Sequence, residues 1–483
     1  MEEEFFAQNL ECSLEPVFSK DFELGSFSKK ANEFTYNFSG MLEMMDYFGW
    51  IMRNSHGVHS STGLPDYLVW SSDSEACGSD ILAIKEGNKI TYKHMPGHGW
   101  HNIMINTSKI LNYAACAYLL TGDKLAGKIV EQYCKGLSAT IKGMVYDSND
   151  SEHYLMARNI IPLSHEYSEI DGGVKSINYE NWKTNETHWN AQRFNYKNNP
   201  CWGDIYLTNT RSKDDLPHIL RAAAFLPEII NCSSNPKIVR AAYESYRLLR
   251  GFCKDIILNN FNIRTKDSSG KTFIPKGDLI SFSKYGKNSE NNAKIAISLL
   301  GLGELGKLNA NKSFGGIYET AAVNVNYYNY KIINGFHMAA LLHSYSYGCL
   351  EASSKLLNGL VGRADWLMNS SFHKKARSNL NWMPDLAVFL VKAASCGMPL
   401  KKIQKEIIYS EFSKAIDHYS DFRRWNLWDD SVPDGSYGSS GGYIPNSKGL
   451  VNPIDLGVLL EYAHSPYKIG EPIINPEIIM DTK

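Results

Sequence analysis

Three stretches of the chain gather residue types that can do chemistry. The first is histidine-rich: His56-Gly57-Val58-His59, then His94-Met95-Pro96-Gly97-His98-Gly99-Trp100-His101. Neutral imidazoles brought together can ligate zinc. On a helix His94, His98 and His101 would share one face, but Pro96, Gly97 and Gly99 argue against a helix there. No metal is therefore assigned. A Gly-rich loop that delivers His98 or His101 as a general base or a substrate hydrogen-bonding group is the preferred reading. The plain alternative is that these histidines cap a helix starting near Trp100 or meet solvent.

The second stretch, His188 to Asp215, holds Trp189, Arg193, Tyr196, Trp202, Asp204, Tyr206, Arg211, Asp214 and Asp215. Aromatic faces stack on sugar rings, and Arg and Asp grip hydroxyls or carboxylates. For Asp214 or Asp215 a helix N-cap is the simpler role; for Asp204 and Arg211 a solvated loop and a working site stand level. The third stretch is Trp425-Asn426-Leu427-Trp428-Asp429-Asp430, followed by Pro433-Asp434-Gly435-Ser436-Tyr437-Gly438. A glycosidase needs one protonated carboxyl group and a second carboxylate about 5–9 Å away across the scissile bond. Asp430 or Asp434 would supply one and Asp204 the other, unless the aspartates of this loop only close Asx-turns.

Other patterns carry less. Gly301-Leu302-Gly303-Glu304-Leu305-Gly306 matches G-x-G-x-x-G, but that fingerprint needs a strand before it. Ala293 to Leu300 reads as helix, so a helix C-terminus is expected instead of a dinucleotide site. No P-loop, H-E-x-x-H or EF-hand pattern occurs, and no cofactor is implied. The nine cysteines are odd in number and include no C-x-x-C pair. Cys116, Cys134 and Cys253 fall on apolar helix faces, where buried free thiols are common, so no disulfide framework is expected. The N-x-S/T sequons, Asn106 and Asn185 among them, reflect only a chain rich in Asn, Ser and Thr.

Composition narrows the classes. A net charge of −1 with both signs interspersed lacks the basic stripe of a nucleic-acid binder. Apolar runs such as Ala222 to Leu226 fall far short of the roughly 20 residues that span a bilayer. The opening Met1-Glu2-Glu3-Glu4 lacks a basic n-region and apolar h-region. The expectation is a cytoplasmic protein, unless the chain starts after a removed leader. Its carbohydrate partner is inferred from the aromatic and acidic loops; the number of subunits is not legible.

The elements that must position these residues are helices, about eleven by their 3.6-residue periodicity. Ile110, Leu111, Ala114, Ala115, Tyr118 and Leu119 form one stripe, stopped at Thr121-Gly122-Asp123, where Gly122 ends one helix and Asp123 caps the next. A second stripe follows at once: Leu125, Ile129, Val130, Tyr133, Cys134, Leu137 and Ile141. Such a short turn forces the pair antiparallel. A helix from Asp214 or Asp215 to about residue 230 turns through 231–235 into a stripe of Ile238, Val239, Ala242, Tyr246, Leu249 and Ile256. Pairs are expected at 327–345 with 350–369 and 382–396 with 400–418, and further helices at 41–53, 290–306 and 453–464. Alternating strand pattern is confined to short stretches such as Ile81 to Tyr92.

Hairpin turns are short, whereas the links between hairpins, roughly 55–100, 147–213, 261–289 and 421–452, are long. With hairpins side by side, the turns fall at one end and the long links gather at the other. Links longer than about 15 residues in a compact domain are usually functional, and a rigid scaffold presents binding residues on its loops. The repeated hairpins, above all Tyr118-Leu119-Leu120-Thr121-Gly122-Asp123-Lys124, resemble the (α/α) toroid superfamily of glycoside hydrolases and polysaccharide lyases, at the level of architecture and over about 100–465. No family's catalytic motif is matched, so function drawn from the resemblance is analogy.

The resulting expectation is an all-α fold: one toroid-like domain at 41–470, an N-terminal extension at 1–40 and a tail at 471–483. The expected function is glycosidic bond cleavage by a hydrolase. His98, Asp204, Asp430 and Asp434 are its candidate catalytic residues. His101, Trp189, Arg193, Trp202, Arg211, Trp428 and Tyr437 are its candidate substrate contacts. One alternative is a polysaccharide lyase with His98 or Tyr437 as base and Arg193 or Arg211 neutralising a uronate carboxylate. Another is a binding module without catalysis.

Overall fold

The computed structural model describes residues 81–86, 89–94, 103–144, 154–162, 193–199, 203–209, 215–275, 287–313, 327–347, 349, 356 and 401–402. Helix takes 70% of the described residues, with a few short strands. In chain order the elements are β1 (Ile81–Glu86), β2 (Lys89–His94), α1 (Ile103–Thr121), α2 (Lys124–Lys142), β3 (Asn159–Pro162), β4 (Arg193–Asn199) and β5 (Gly203–Thr208). They continue with α3 (Leu216–Ala223), α4 (Leu226–Cys232), α5 (Pro236–Leu258), β6 (Thr265–Lys266), β7 (Thr272–Phe273) and α6 (Lys287–Leu302). A 3₁₀ turn (Gly303–Leu305), α7 (Gly306–Ser313) and α8 (Tyr327–Ser346) follow. No helix among the described residues is long and apolar enough to cross a membrane.

The α1/α2 hairpin forms for the reasons its sequence suggests. Gly122 takes φ +66°, a left-handed conformation that is costly for any residue with a Cβ. Asp123 caps α2 by accepting a hydrogen bond from Ala126 N at 2.9 Å. Asn235 does the same for α5, accepting from Lys237 N at 3.0 Å.

Burial sorts the helices into two kinds. α1 is buried round its whole circumference from Ile110 to Ala117, α6 from Ile295 to Leu300 and α8 from Gly335 to Leu341. α2 and α5 each keep a solvent side, marked by exposed Lys128 and by exposed Lys237, Arg240 and Lys254. A helix apolar on all faces is an interior element, and an amphipathic one covers it. The packing follows a cycle of neighbours: α1 on α2, α2 on α5, α5 on α6, α6 on α8, α8 on α3 and α3 back on α1.

Several expectations need correction. The helix expected to run to about residue 230 is two, α3 and α4, broken at Ala224 and Phe225. Pro227 has no N–H to continue an α-helical ladder, so the chain tightens: Ala224 N donates to Arg221 O and Phe225 N to Ala222 O, both at 3.2 Å. Asp215 stands at the N-cap of α3 but makes no side-chain cap hydrogen bond and is fully buried. The 290–306 helix stops at Leu302, Gly303 turns at φ +58°, and a further helix, α7, follows. The helix before Gly303 removes the dinucleotide reading of the glycine pattern, as expected.

The links were read as nearly strand-free, and they are not. β3, β5 and β4 form a three-stranded antiparallel sheet inside 147–213, and β6 pairs with β7 inside 261–289. His94 ends β2, paired with Ile81, and is not part of a Gly-rich loop. The helices expected at 41–53, 350–369, 382–396, 400–418 and 453–464 lie outside the described residues, apart from isolated positions.

Candidate functional site

Named contacts fix the directions of the helices. Gly127 of α2 lies against Ile238 of α5, Lys142 pairs with Glu244, and Tyr154 packs on Gly251, so α2 and α5 run the same way. α6 runs against α5: Gly303 lies beside Arg250, Gly301 beside Lys254, and Lys294 sits over the Phe261 ring at 5.4 Å. α3 and α8 run together, since Gly335 faces Pro217 and His343 reaches Leu220.

These directions define two unlike ends. At one, the two short turns meet, with the Tyr118 hydroxyl 2.8 Å from the Ser233 hydroxyl. At the other, the described parts of the links 147–213 and 261–289 meet. Asn209, directly after β5, donates from Nδ2 to Lys266 O at 2.8 Å, and Thr265 Oγ1 donates to Asn209 O at 2.9 Å. Asn199 Nδ2 donates to Gly143 O at 3.2 Å, tying the β4–β5 hairpin to the end of α2. α3 and α6 begin at this end, and α1 begins opposite its contact with the turn end. Asn209 thus ties the described part of the link 147–213 to that of the link 261–289.

This end holds polar side chains that the core would ordinarily reject. Arg158, Asn199, Asn209, Asp215, Thr265 and Lys266 are all buried. Periodicity did not reveal Thr265 and Lys266, because the strand they form is only two residues long. The β6–β7 hairpin is held at its tip by Asp267, which accepts from the Ser269 and Lys271 amides at 2.9 and 3.0 Å. The Ser269 hydroxyl and these amides hold the Asp267 carboxyl below its usual range.

Asp204 is exposed near the start of β5, and its Oδ1 accepts from Asn198 N at 2.9 Å. That bond holds the bulged hairpin end, where Asn198 takes φ +56°. Alternation in β5 places Asp204 on the face opposite buried Ile205 and Leu207. Arg193 opens β4 opposite Thr208, four positions along β5 from Asp204. At about 3.4 Å per residue the two lie about 14 Å apart along the hairpin. Of the candidate site residues, the structure describes these two. His98, His101, Trp189, Trp202, Arg211, Trp428, Asp430, Asp434 and Tyr437 lie outside the described residues.

Cys116, Cys134, Cys232, Cys253 and Cys349 are not joined in disulfides, and burial pushes the Cys134 and Cys253 thiols far up, away from the reactive thiolate. Compared with known proteins, the chain matches no family model, no curated protein and no solved structure.

Proposed function

We propose that the chain is a carbohydrate-active enzyme that cleaves glycosidic bonds as a hydrolase, built as an (α/α) toroid and working at the end where the long links meet. One observation carries this reading: Asn209 joins the links 147–213 and 261–289 at the end opposite the Tyr118–Ser233 turn contact. The cycle of six helices, with buried α1, α6 and α8 alongside amphipathic α2 and α5, supports the toroid arrangement. Exposed Asp204 is available to pair with Asp430 or Asp434 as acid and base, with His98 close in role. Trp189, Trp202 and Trp428 would stack on sugar rings.

A polysaccharide lyase is the second reading, and the helix directions favour it. α3 and α6 point their N-termini at the loop end, and a helix N-terminus carries partial positive charge. Together with Arg193 and Arg211, these would suit a uronate carboxylate. Incubation of the full chain with neutral and acidic polysaccharides separates the readings. New reducing ends without new ultraviolet absorbance mean hydrolysis; reducing ends with an absorbing unsaturated product mean elimination. Binding with neither product would leave a glycan-binding module and overturn both enzyme readings.

A further inference from the structure

We propose that Asn209 and Thr265 form a clasp that makes the two long links one positioning unit, coupling the β3–β5–β4 sheet to the β6–β7 hairpin. The proposal rests on the reading of the loop end as the working end. Its physical basis is the pair of reciprocal bonds between residues that are neighbours only in space. Asn209 gives its amide hydrogen to Lys266 O and takes the Thr265 hydroxyl on its own carbonyl. Asn209 and Thr265 are fully buried, and Lys266 is 3% exposed. Water is not at hand to replace either bond, so breaking one removes a buried interaction without compensation from solvent.

The position of the clasp gives it consequence. Asn209 follows Thr208, the residue that pairs with both Arg193 of β4 and Asn159 of β3. It also stands two residues before Arg211. Fixing Asn209 thus fixes the register end of the sheet that carries one candidate arginine and leads to the other. On the partner side, Thr265 and Lys266 are the whole of β6, whose hairpin is already closed by Asp267. The hairpin is closed on itself by the Asp267 bonds to the Ser269 and Lys271 amides, so a tie at β6 orients all of it. Asn209 and Thr265 are positioning residues: they touch the walls of the site and not its substrate.

Hydrogen exchange on the full chain tests the clasp without any substrate. Thr265→Val keeps the shape and removes the donor; Asn209→Asp keeps the shape and sets an acceptor against Lys266 O. Each should raise exchange about tenfold or more in 203–208 and in 265–273 together, with α1, α2 and α5 unchanged. Thr265→Ser, which keeps the hydroxyl, should restore protection in both. Faster exchange on one side alone, in the helices as well, or nowhere would overturn the coupling. On a polysaccharide that the wild type cleaves, Thr265→Val should lower kcat/KM about tenfold at a temperature where the variant remains folded, and Thr265→Ser should recover it. Failure of the wild type to cleave any glycan would sink the proposed function, while the exchange result still decides the clasp.

Discussion

His343 and Leu220 are joined across the contact between α8 and α3, the imidazole Nε2 lying 2.9 Å from the Leu220 carbonyl oxygen. The acceptor is there because α3 breaks early. In a continued helix Leu220 O would bond Ala224 N, but that amide turns to Arg221 O. His343 thus takes a carbonyl freed by the proline downstream. It is 1% exposed, and burial drives its pKa from 6.5 to about 4, opposed only by the Leu220 bond.

Acid should therefore loosen the fold through this residue. The folded pKa is depressed, so between about pH 6.5 and 4 the unfolded chain binds the proton and the folded chain does not. The stabilisation is complete above the unfolded pKa and is lost as pH falls toward the folded one. Linkage puts the total at about 3 kcal/mol. Urea unfolding at pH 4 to 8 should show a shallower pH slope for His343→Gln than for the wild type in this window. Equal slopes would mean that His343 does not titrate there.

Gly251 is fixed by packing. A Cβ on this residue would fall 2.0 Å from the ring of Tyr154, which comes from the link 147–213 to lie on α5. Ala in place of Gly would ordinarily stabilise a helix by about 1 kcal/mol. Here overpacking, at about 1–3 kcal/mol, should prevail. Gly251→Ala should lower the denaturation midpoint, and adding Tyr154→Ala should cancel most of the steric part in a double-mutant cycle. Additive effects would show that the two residues do not meet.

What the sequence made readable was what repeats. Ile129, Val130, Tyr133, Cys134 and Leu137 stand a helical turn apart, and all are buried on α2. Gly122 and Asp123 announce their turn by chemistry alone. The break at Ala224 was missed because Leu216 to Ile229 stays apolar on either side of it, and periodicity does not register a lost hydrogen bond. The strands were missed for a different reason. β6 and β7 are two residues each, too short to alternate, and β4 is rich in Asn and Lys, which fit a strand poorly. Asn209 and Thr265 were invisible since their importance lies in each other. A contact between positions 209 and 265 leaves no local mark on either.

The buried thiols give a prediction about reactivity. Desolvation, then the nearby Glu131, raises the Cys134 thiol far above its ordinary pKa, and desolvation likewise raises Cys253. Cys232 is only partly covered, and burial with Glu228 lifts it to about 11. Thiolate, not thiol, is the nucleophile. In the native protein at pH 7.5, mass-resolved alkylation should leave Cys134 and Cys253 unlabelled and Cys232 slow, with all three labelled in denaturant. Rapid native labelling of Cys134 would contradict the packing of α2 against α5.

Asp204 decides whether the β4–β5 hairpin carries chemistry or only shape. Its bond to Asn198 N accounts for one carboxylate oxygen and gives the residue a structural use. Asp204→Asn retains an oxygen that can accept the same amide while removing the ionisable group. If Asp204 is the acid or base, turnover should fall by about 10²–10⁴. The thermal midpoint should hardly move, because an exposed polar swap typically changes stability by about 0.5 kcal/mol or less. Asp204→Ala would drop turnover as well but also loosen the hairpin end, visible as faster exchange at Asn198 and Asn199. Full activity in Asp204→Asn with a loss only in Asp204→Ala would assign the carboxylate to the bulge alone. The acid–base pair would then have to be sought in Asp430 and Asp434.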